Sequence, residues 1–247
     1  MRQLWPDPGE VDDVAELIAS DARPPLAGRP WLLVNMVASL DGAIAVEGRS
    51  GSLGGPADKA VFSALRGVAD VVLAGAGTVR AEGYGPPRPT DAIRRARVAR
   101  GQAEAPRVAV VTRSLDLDLS SSLFTQAEAR PLVITCAVAD GARQDAVRAV
   151  ADLVVAGDAA VDLTAALAQL HERGAGVVTC EGGPSLNGDL LAADLVDEWN
   201  LTVSPVLVAG EAGRASHGPV LSGLRAMRLA RLLEADGTLL TQWIRGG

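Results

Sequence analysis

Asp70 to Pro86 reads DVVLAGAGTVRAEGYGP, and the fold follows from how this stretch is read. Val71-Val72-Leu73-Ala74 is an unbroken apolar run of the kind that forms a strand covered on both faces. It leads straight into Gly75-Ala76-Gly77-Thr78-Val79, after which the pattern turns helical. Glycines at a strand's end let backbone N–H groups approach an anion, and the dipole of the next helix adds positive charge there. The chain repeats the device: Gly176-Val177-Val178-Thr179-Cys180 is a second apolar strand, and Glu181-Gly182-Gly183-Pro184-Ser185-Leu186 turns into a second helix. Two such junctions suit a dinucleotide, whose diphosphate needs several N–H donors at once.

Outward from these junctions, short apolar runs alternate with helical spacing. Val11 to Ser20 and Pro56 to Arg66 predict helices, the second with proline at its start. Trp31 to Ala38 predicts a central strand, apolar apart from Asn35. Strands are expected near Val71 and over Arg107–Thr112, Pro131–Thr135, Leu153–Ala156 and Val177–Cys180. Helices are expected over Gln144–Ala151, Leu163–Arg173 and Ser185–Ala192. In the last third, Glu198 to Pro205 alternates, and Asp236-Gly237 between two strand-like runs signals a hairpin. The expected class is α/β: a mixed, mostly parallel sheet flanked by helices, with a C-terminal antiparallel hairpin. The expected organisation is an N-terminal extension over 1–28 and one domain over 29–247.

Composition narrows the function. With 48 % hydrophobic residues the 247-residue chain can bury a large core, whereas 3 % aromatics argues against a stacking platform for single-stranded nucleic acid. Net charge is −7, and the run Arg94 to Arg100 reads as a solvated helix, so no nucleic-acid partner is expected. No apolar run approaches the roughly 20 residues of a membrane span. The start, MRQLWPDPGEVDD, lacks the apolar centre of a signal peptide, so a cytoplasmic protein is expected. Cys136 and Cys180 lie in apolar runs as reduced thiols, and His171 and His217 read as surface residues. No metal site is expected from so few scattered ligands. Neither a G-x-S-x-G elbow nor a Walker lysine is present.

Four segments in order, Asn35-Met36-Val37-Ala38-Ser39-Leu40-Asp41-Gly42, Gly75-Ala76-Gly77-Thr78-Val79, Glu181-Gly182-Gly183-Pro184 and Leu195-Val196-Asp197-Glu198, resemble the reductase domain of the riboflavin-biosynthesis reductases. The resemblance covers about Arg29 to Ile244 and implies a dihydrofolate-reductase-like fold. It implies NADPH as hydride donor, a ribosylaminopyrimidine phosphate whose ribose is reduced to ribityl, and a homodimer through the C-terminal strands. It places Gly75, Gly77, Thr78 and Val79 on the cofactor's phosphates and ribose, with Glu181, Gly182, Gly183, Pro184, Ser185 and Leu186 at its diphosphate. Thr112 and Arg113 follow a strand, where hydroxyl and cation suit a 2′-phosphate. Hydride transfer needs positioning more than a strong nucleophile. Asp41 and Asn35 are accordingly the catalytic candidates: Asp41 either ends a strand in an Asp-Gly turn or orders the site through hydrogen bonds, and Asn35 puts an amide that needs partners into an apolar strand. Ser50, Glu82 and Arg88 match substrate-side positions of the family.

The chain also departs from the family's pattern. Ser52-Leu53-Gly54 replaces the usual tryptophan-isoleucine-threonine, Gly83-Tyr84 replaces aspartate-proline, and Ala43 replaces a basic residue. Each change removes a group that grips a phosphorylated sugar. Pro56-Ala57-Asp58 meanwhile resembles the helix start at which dihydrofolate reductases keep their pterin-binding carboxylate, so Asp58 is either a substrate carboxylate or an acid favouring the helix dipole. Dihydrofolate or pteridine reduction and a non-catalytic NADPH-binding dimer are the alternatives.

Overall fold

The computed structural model describes residues 1–246 and divides into two compact units. The first comprises Met1–Ala22, Leu32–Leu65 and the chain from Cys180 onward; the second comprises Arg23–Trp31 and Arg66–Thr179. The class matches the expectation: mixed α/β, mostly parallel, helix-flanked, with antiparallel C-terminal strands; two short strands before residue 11 were not expected.

In the first unit the strands are β1 (Arg2–Trp5), β2 (Gly9–Glu10), β3 (Trp31–Ser39), β9 (Glu198–Ser204), β10 (Met227–Ala235) and β11 (Thr238–Arg245). They lie in the order β2-β1-β10-β11-β9-β3, antiparallel except for the parallel pair β9–β3. Asp236 (φ 50°) and Gly237 (φ 79°) form the hairpin, both left-handed as a two-residue type I′ loop demands. Helix α1 (Val14–Ala19) starts on Asp13, whose side chain accepts from the Ala15 and Glu16 amides. Helix α2 (Pro56–Val68) begins in this unit and ends in the other.

β9 alternates as its sequence says, but with the polar half inward. Glu198, Asn200, Thr202 and Ser204 are buried, and Trp199, Leu201 and Val203 are half-exposed. Asp197, also buried, accepts the Leu32 amide at 2.9 Å and so fastens the start of β3. Glu198 accepts from Asn200 and Gln242, and Gln242 joins the Asp21–Arg231 ion pair, whose nitrogens donate at 2.7 Å. A buried carboxylate is tolerated where such donors satisfy it.

In the second unit the strands are β4 (Val71–Gly75), β5 (Arg107–Val111), β6 (Leu132–Thr135), β7 (Asp152–Val155) and β8 (Val177–Cys180), in the order β8-β4-β5-β6-β7. The pairs β4–β5, β5–β6 and β6–β7 are parallel. Helices α3 (Ala76–Glu82), α4 (Asp91–Ala99), α5 (Ser122–Thr125), α6 (Gly141–Val150) and α7 (Leu163–Glu172) complete it. Val72, Ala74, Val108, Val110 and Val133 pack with Val79, Leu123, Phe124 and Val147 into one apolar cluster. The arginine run is not wholly solvated. Arg94 pairs with Glu128 at 2.6 and 2.7 Å, while Arg97 is buried and donates to the Ala103, Arg66, Gly67 and Ala69 carbonyls. It thereby satisfies the last-turn carbonyls of α2, and burial pushes its pKa down to about 10. No helix among the described residues is long and apolar enough to cross a membrane.

Candidate functional site

At the first glycine junction, Gly75 ends β4 and serves as N-cap of α3 in extended conformation, with no side chain capping the helix. Helices α1, α4, α6 and α7 start instead on Asp13, Thr90, Asp140 and Asp162, whose side chains accept first-turn amides. The α3 start thus leaves its N–H groups to an outside acceptor. Gly77 is exposed, and a β-carbon there would meet nothing within 4 Å. Thr78 is half-buried beside it, while the Val79 side chain belongs to the apolar cluster and can offer a ligand only backbone. Thr112 is buried, its hydroxyl accepting the Leu115 amide at 3.1 Å, and Arg113 is exposed. Two arginines absent from the sequence reading reach the same loop: Arg80 donates to the Asp116 carbonyl at 2.7 Å and Arg143 to the Ser114 carbonyl at 3.0 Å. Glu82 is half-buried; exposed Arg88 donates to Gln126 at 3.1 Å.

The second junction lies in the first unit. Glu181 and Gly182 are buried, and Gly183 is the N-cap of α8 (Pro184–Ala192), again without a side-chain cap and with Pro184 in the first turn. Gly182 has φ 86°, and an added β-carbon would press on the Met36 sulfur at 3.3 Å, so glycine is required there for both conformation and space. Ser185 is exposed with its hydroxyl 3.1 Å from His217 Nε2, and Leu186 is buried. A returning loop is latched onto this helix start: the His217 amide donates to the Pro184 carbonyl at 3.1 Å, and Asn187 Nδ2 to the Ala215 carbonyl at 2.8 Å. Burial pushes the Cys180 thiol up to about 12, which leaves it unreactive.

The third group of residues lines the helix-facing side of β3 and β9. Asn35 lies opposite Asn200, Val37 opposite Thr202 and Ser39 opposite Ser204, so these residues share a face. Asn35 is 9 % exposed, and its carboxamide has no protein partner among the described residues. Asp58, in the first turn of α2, is half-buried and has the Thr202 hydroxyl as its hydrogen-bond partner. Burial raises its pKa, outweighing the lowering by Thr202 and Lys59. Asp41 is exposed and serves the backbone: it accepts from the Ser39 hydroxyl, the Ala209 amide at 2.7 Å and the Val208 amide at 3.2 Å. These bonds, led by Ser39, hold its pKa below the usual aspartate value. Ser50 is half-buried in the loop before α2, its carbonyl accepting the Leu53 amide at 2.9 Å.

The first unit therefore brings Asn35 and Asp58 onto one polar wall and ties Asp41 to a loop. Asn200, Thr202 and the buried Glu198 were missed from the sequence. Their signal was four polar residues at alternate positions of one strand. A cavity of about 1140 Å³ under the 205–226 loop is lined by Trp199, Arg214, His217 and Leu224, and none of the sequence-predicted site residues lines it.

Comparison with known proteins gives these features a context. The model of the RibD C-terminal domain matches residues 30–239. The 2,5-diamino-6-ribosylamino-4(3H)-pyrimidinone 5′-phosphate reductase of Archaeoglobus fulgidus is 31 % identical over 183 residues, covering 74 % of this chain and 83 % of that protein. The Methanothermobacter thermautotrophicus protein of the same name is 32 % identical over 186 residues, covering 75 % and 82 %. Among solved structures, a pyrimidine reductase-like protein of Corynebacterium diphtheriae superposes with a TM-score of 0.83 at 26 % identity, covering 95 % of this chain and 99 % of that one. Four motifs in order, a full-length structural match and the domain model converge: the chain belongs to the RibD C-terminal domain family, the reductases of riboflavin biosynthesis.

Proposed function

We propose that the protein is an NADPH-dependent reductase of 2,5-diamino-6-ribosylamino-4(3H)-pyrimidinone 5′-phosphate, converting its ribose to ribityl. The observation that carries this reading is the polar wall of Asn35, Asn200, Thr202 and Asp58, a donor-hungry surface in a chain whose relatives bear that substrate's name. A nicotinamide cofactor fits the residues present, because both α3 and α8 start behind glycines without a side-chain cap, and the space beside Gly77 is open. Gly75, Gly77, Thr78 and the Val79 backbone are its proposed holders in the second unit. Glu181, Gly182, Gly183, Pro184, Ser185 and Leu186 are those in the first. Thr112 and Arg113, flanked by Arg80 and Arg143, suit the 2′-phosphate of NADPH. When bound, the cofactor supplies the hydride.

The chain's own residues do the rest. Asn35 and Asp58 hold the ring, and Asp41 keeps the 208–209 backbone against the end of β3, positioning the site. Ser50, Glu82 and Arg88 are assigned to the substrate by resemblance alone. The half-exposed stripe Trp199, Leu201 and Val203, continued by Trp243 opposite Trp199, supports a homodimer. Light scattering of the purified protein tests that. NADPH oxidation with the diamino substrate tests the function; absence of turnover with it refutes the reading.

A second reading has its own observation. The pairing of Asp58 with a strand threonine also suits a pterin ring, so dihydrofolate reduction belongs in the same assay.

A further inference from the structure

A polar row runs across four strands of the first unit. Asn35 on β3 lies opposite Asn200 on β9, Asn200 opposite Gln242 on β11, and Gln242 opposite Arg231 on β10. Asn35, Asn200 and Gln242 are 9 %, 6 % and 6 % exposed, so each depends on protein or ligand for its partners. At the far end the row meets Asp21, just past α1, whose carboxylate takes both terminal nitrogens of Arg231 at 2.7 Å. Asp21 and Gln242 both lie outside the residues 30–239 that the family model matches.

The partners fix which way each amide points. Gln242 Nε2 donates to Asp21 Oδ2 at 2.9 Å and to Glu198 Oε1 at 3.0 Å, while its Oε1 accepts from Arg231 at 3.0 Å. Turning this amide over would set an oxygen against two carboxylates and a nitrogen against a guanidinium, losing all of these bonds at once. Glu198 Oε1 in turn accepts from Asn200 Nδ2 at 3.0 Å, so one oxygen is shared by two donors. The Asn200 nitrogen also reaches the Val34 carbonyl at 3.4 Å. Asn200 Oδ1 is left without a protein partner among the described residues, on the wall that Asn35 and Thr202 share.

We propose that Gln242, anchored by Asp21 and Arg231, is a positioning residue for the substrate: it holds Glu198 and, through it, turns the Asn200 oxygen toward an N–H or O–H donor of the bound pyrimidine. The proposal rests on the reductase reading above, in which Asn200 belongs to the substrate wall. Without Gln242 the buried Glu198 carboxyl is short of a donor and shifts to recover one, and the Asn200 amide follows it. Without the Asp21 charge, Arg231 is left uncompensated with only 13 % of its side chain exposed, and it draws on the next acid along the row, Glu198. A residue ahead of the matched domain thus sets how well the substrate is held.

Steady-state kinetics with NADPH and the diamino substrate, beside isothermal titration with NADPH, tests this in a double-mutant cycle. Gln242→Met keeps the size of the side chain and the Asp21–Arg231 pair but removes the link to Glu198. Asp21→Asn keeps the shape and removes the charge. Each is expected to raise KM for the pyrimidine about threefold to tenfold, the worth of one hydrogen bond, with kcat and the NADPH Kd within about twofold. Asn200→Ala should raise KM as much, and adding Gln242→Met to it should change KM by less than about twofold, because the group acted upon is gone. A residue that merely supports the fold would instead add its effect in full. An unchanged KM in Gln242→Met or in Asp21→Asn overturns the proposal. So does full additivity with Asn200→Ala, or a fall in kcat and NADPH affinity alongside the rise in KM. Thermal unfolding checks that each variant folds; should Asp21→Asn not fold, the Gln242–Asn200 cycle alone decides. Wild type that does not oxidise NADPH with the diamino substrate refutes the reductase reading instead, an outcome visible before any variant is made.

Discussion

The His217 carbonyl lies so close to Gly188 that a β-carbon built there would sit 2.1 Å from its oxygen. The glycine lets the returning loop rest directly on α8, where the His217 amide and the Asn187 side chain fasten it. Both sides of this contact are backbone, so neither can yield by changing rotamer. Gly188→Ala is expected to lift the loop and to cost about 1–3 kcal/mol in a urea titration.

Ser185 and His217 carry the same latch to the helix start, with Oγ and Nε2 3.1 Å apart. If Ser185 holds the cofactor's diphosphate, His217 fixes where its hydroxyl points. His217→Ala should weaken NADPH binding about threefold to tenfold, the worth of one hydrogen bond, and His217→Gln should restore most of it. Isothermal titration with NADPH measures both.

Asp41 gives up its lone pairs to Ser39, Val208 and Ala209. Asp41→Asn halves that acceptor capacity. Turnover is expected to fall about tenfold or more while NADPH affinity stays within about twofold, because the loop rather than the cofactor loses its tether. Steady-state kinetics beside a binding titration separates the two effects.

Asp58 should show a trade between stability and activity. Its folded-state pKa lies above the ordinary 3.8, so the folded protein holds this proton more tightly than the unfolded chain. The stabilisation is complete below 3.8 and is lost as pH rises through the folded value. Asp58→Asn is therefore expected to melt higher than wild type at pH 7, with the gap closing toward pH 3.8. Each kcal/mol regained corresponds to about 2–4 °C in a chain of this size. Calorimetry across that range checks the sign.

Arg97 is the structural exception within a run of surface arginines. Its guanidinium reaches four backbone carbonyls, two of them in the last turn of α2. Arg97→Met would leave them buried without donors, at a cost of about 3 kcal/mol in the same denaturant titration. Arg95→Met, on the exposed side, should be nearly neutral.

These residues also show what the sequence made legible. The two glycine junctions could be read because an apolar run ending in glycine has few other uses, and both proved to be helix starts without a side-chain cap. The Asp236-Gly237 hairpin was legible for the same local reason. β9 was legible as a strand but not in its orientation. Alternation gives a period of two, and the usual assumption puts the apolar set inside. Here Asn200 faces inward onto Glu198, which Gln242 also holds, and Thr202 onto Asp58; Gln242 and Asp58 come from distant parts of the chain. Arg97 escaped for a similar reason: a helix of arginines looks solvated until another helix's end lies beneath it. β1 and β2 are too short to show a period.

β1 covers only part of one side of β10, pairing at Leu232 to Glu234, and two-residue β2 closes that border. The first ten residues are thus a lid on an open row of amides and carbonyls. A chain trimmed of its first ten residues would present β10 bare along its length, ready to template a strand from a neighbouring molecule. Fibrous aggregation on storage, rather than loss of catalysis, is the failure to expect from such trimming.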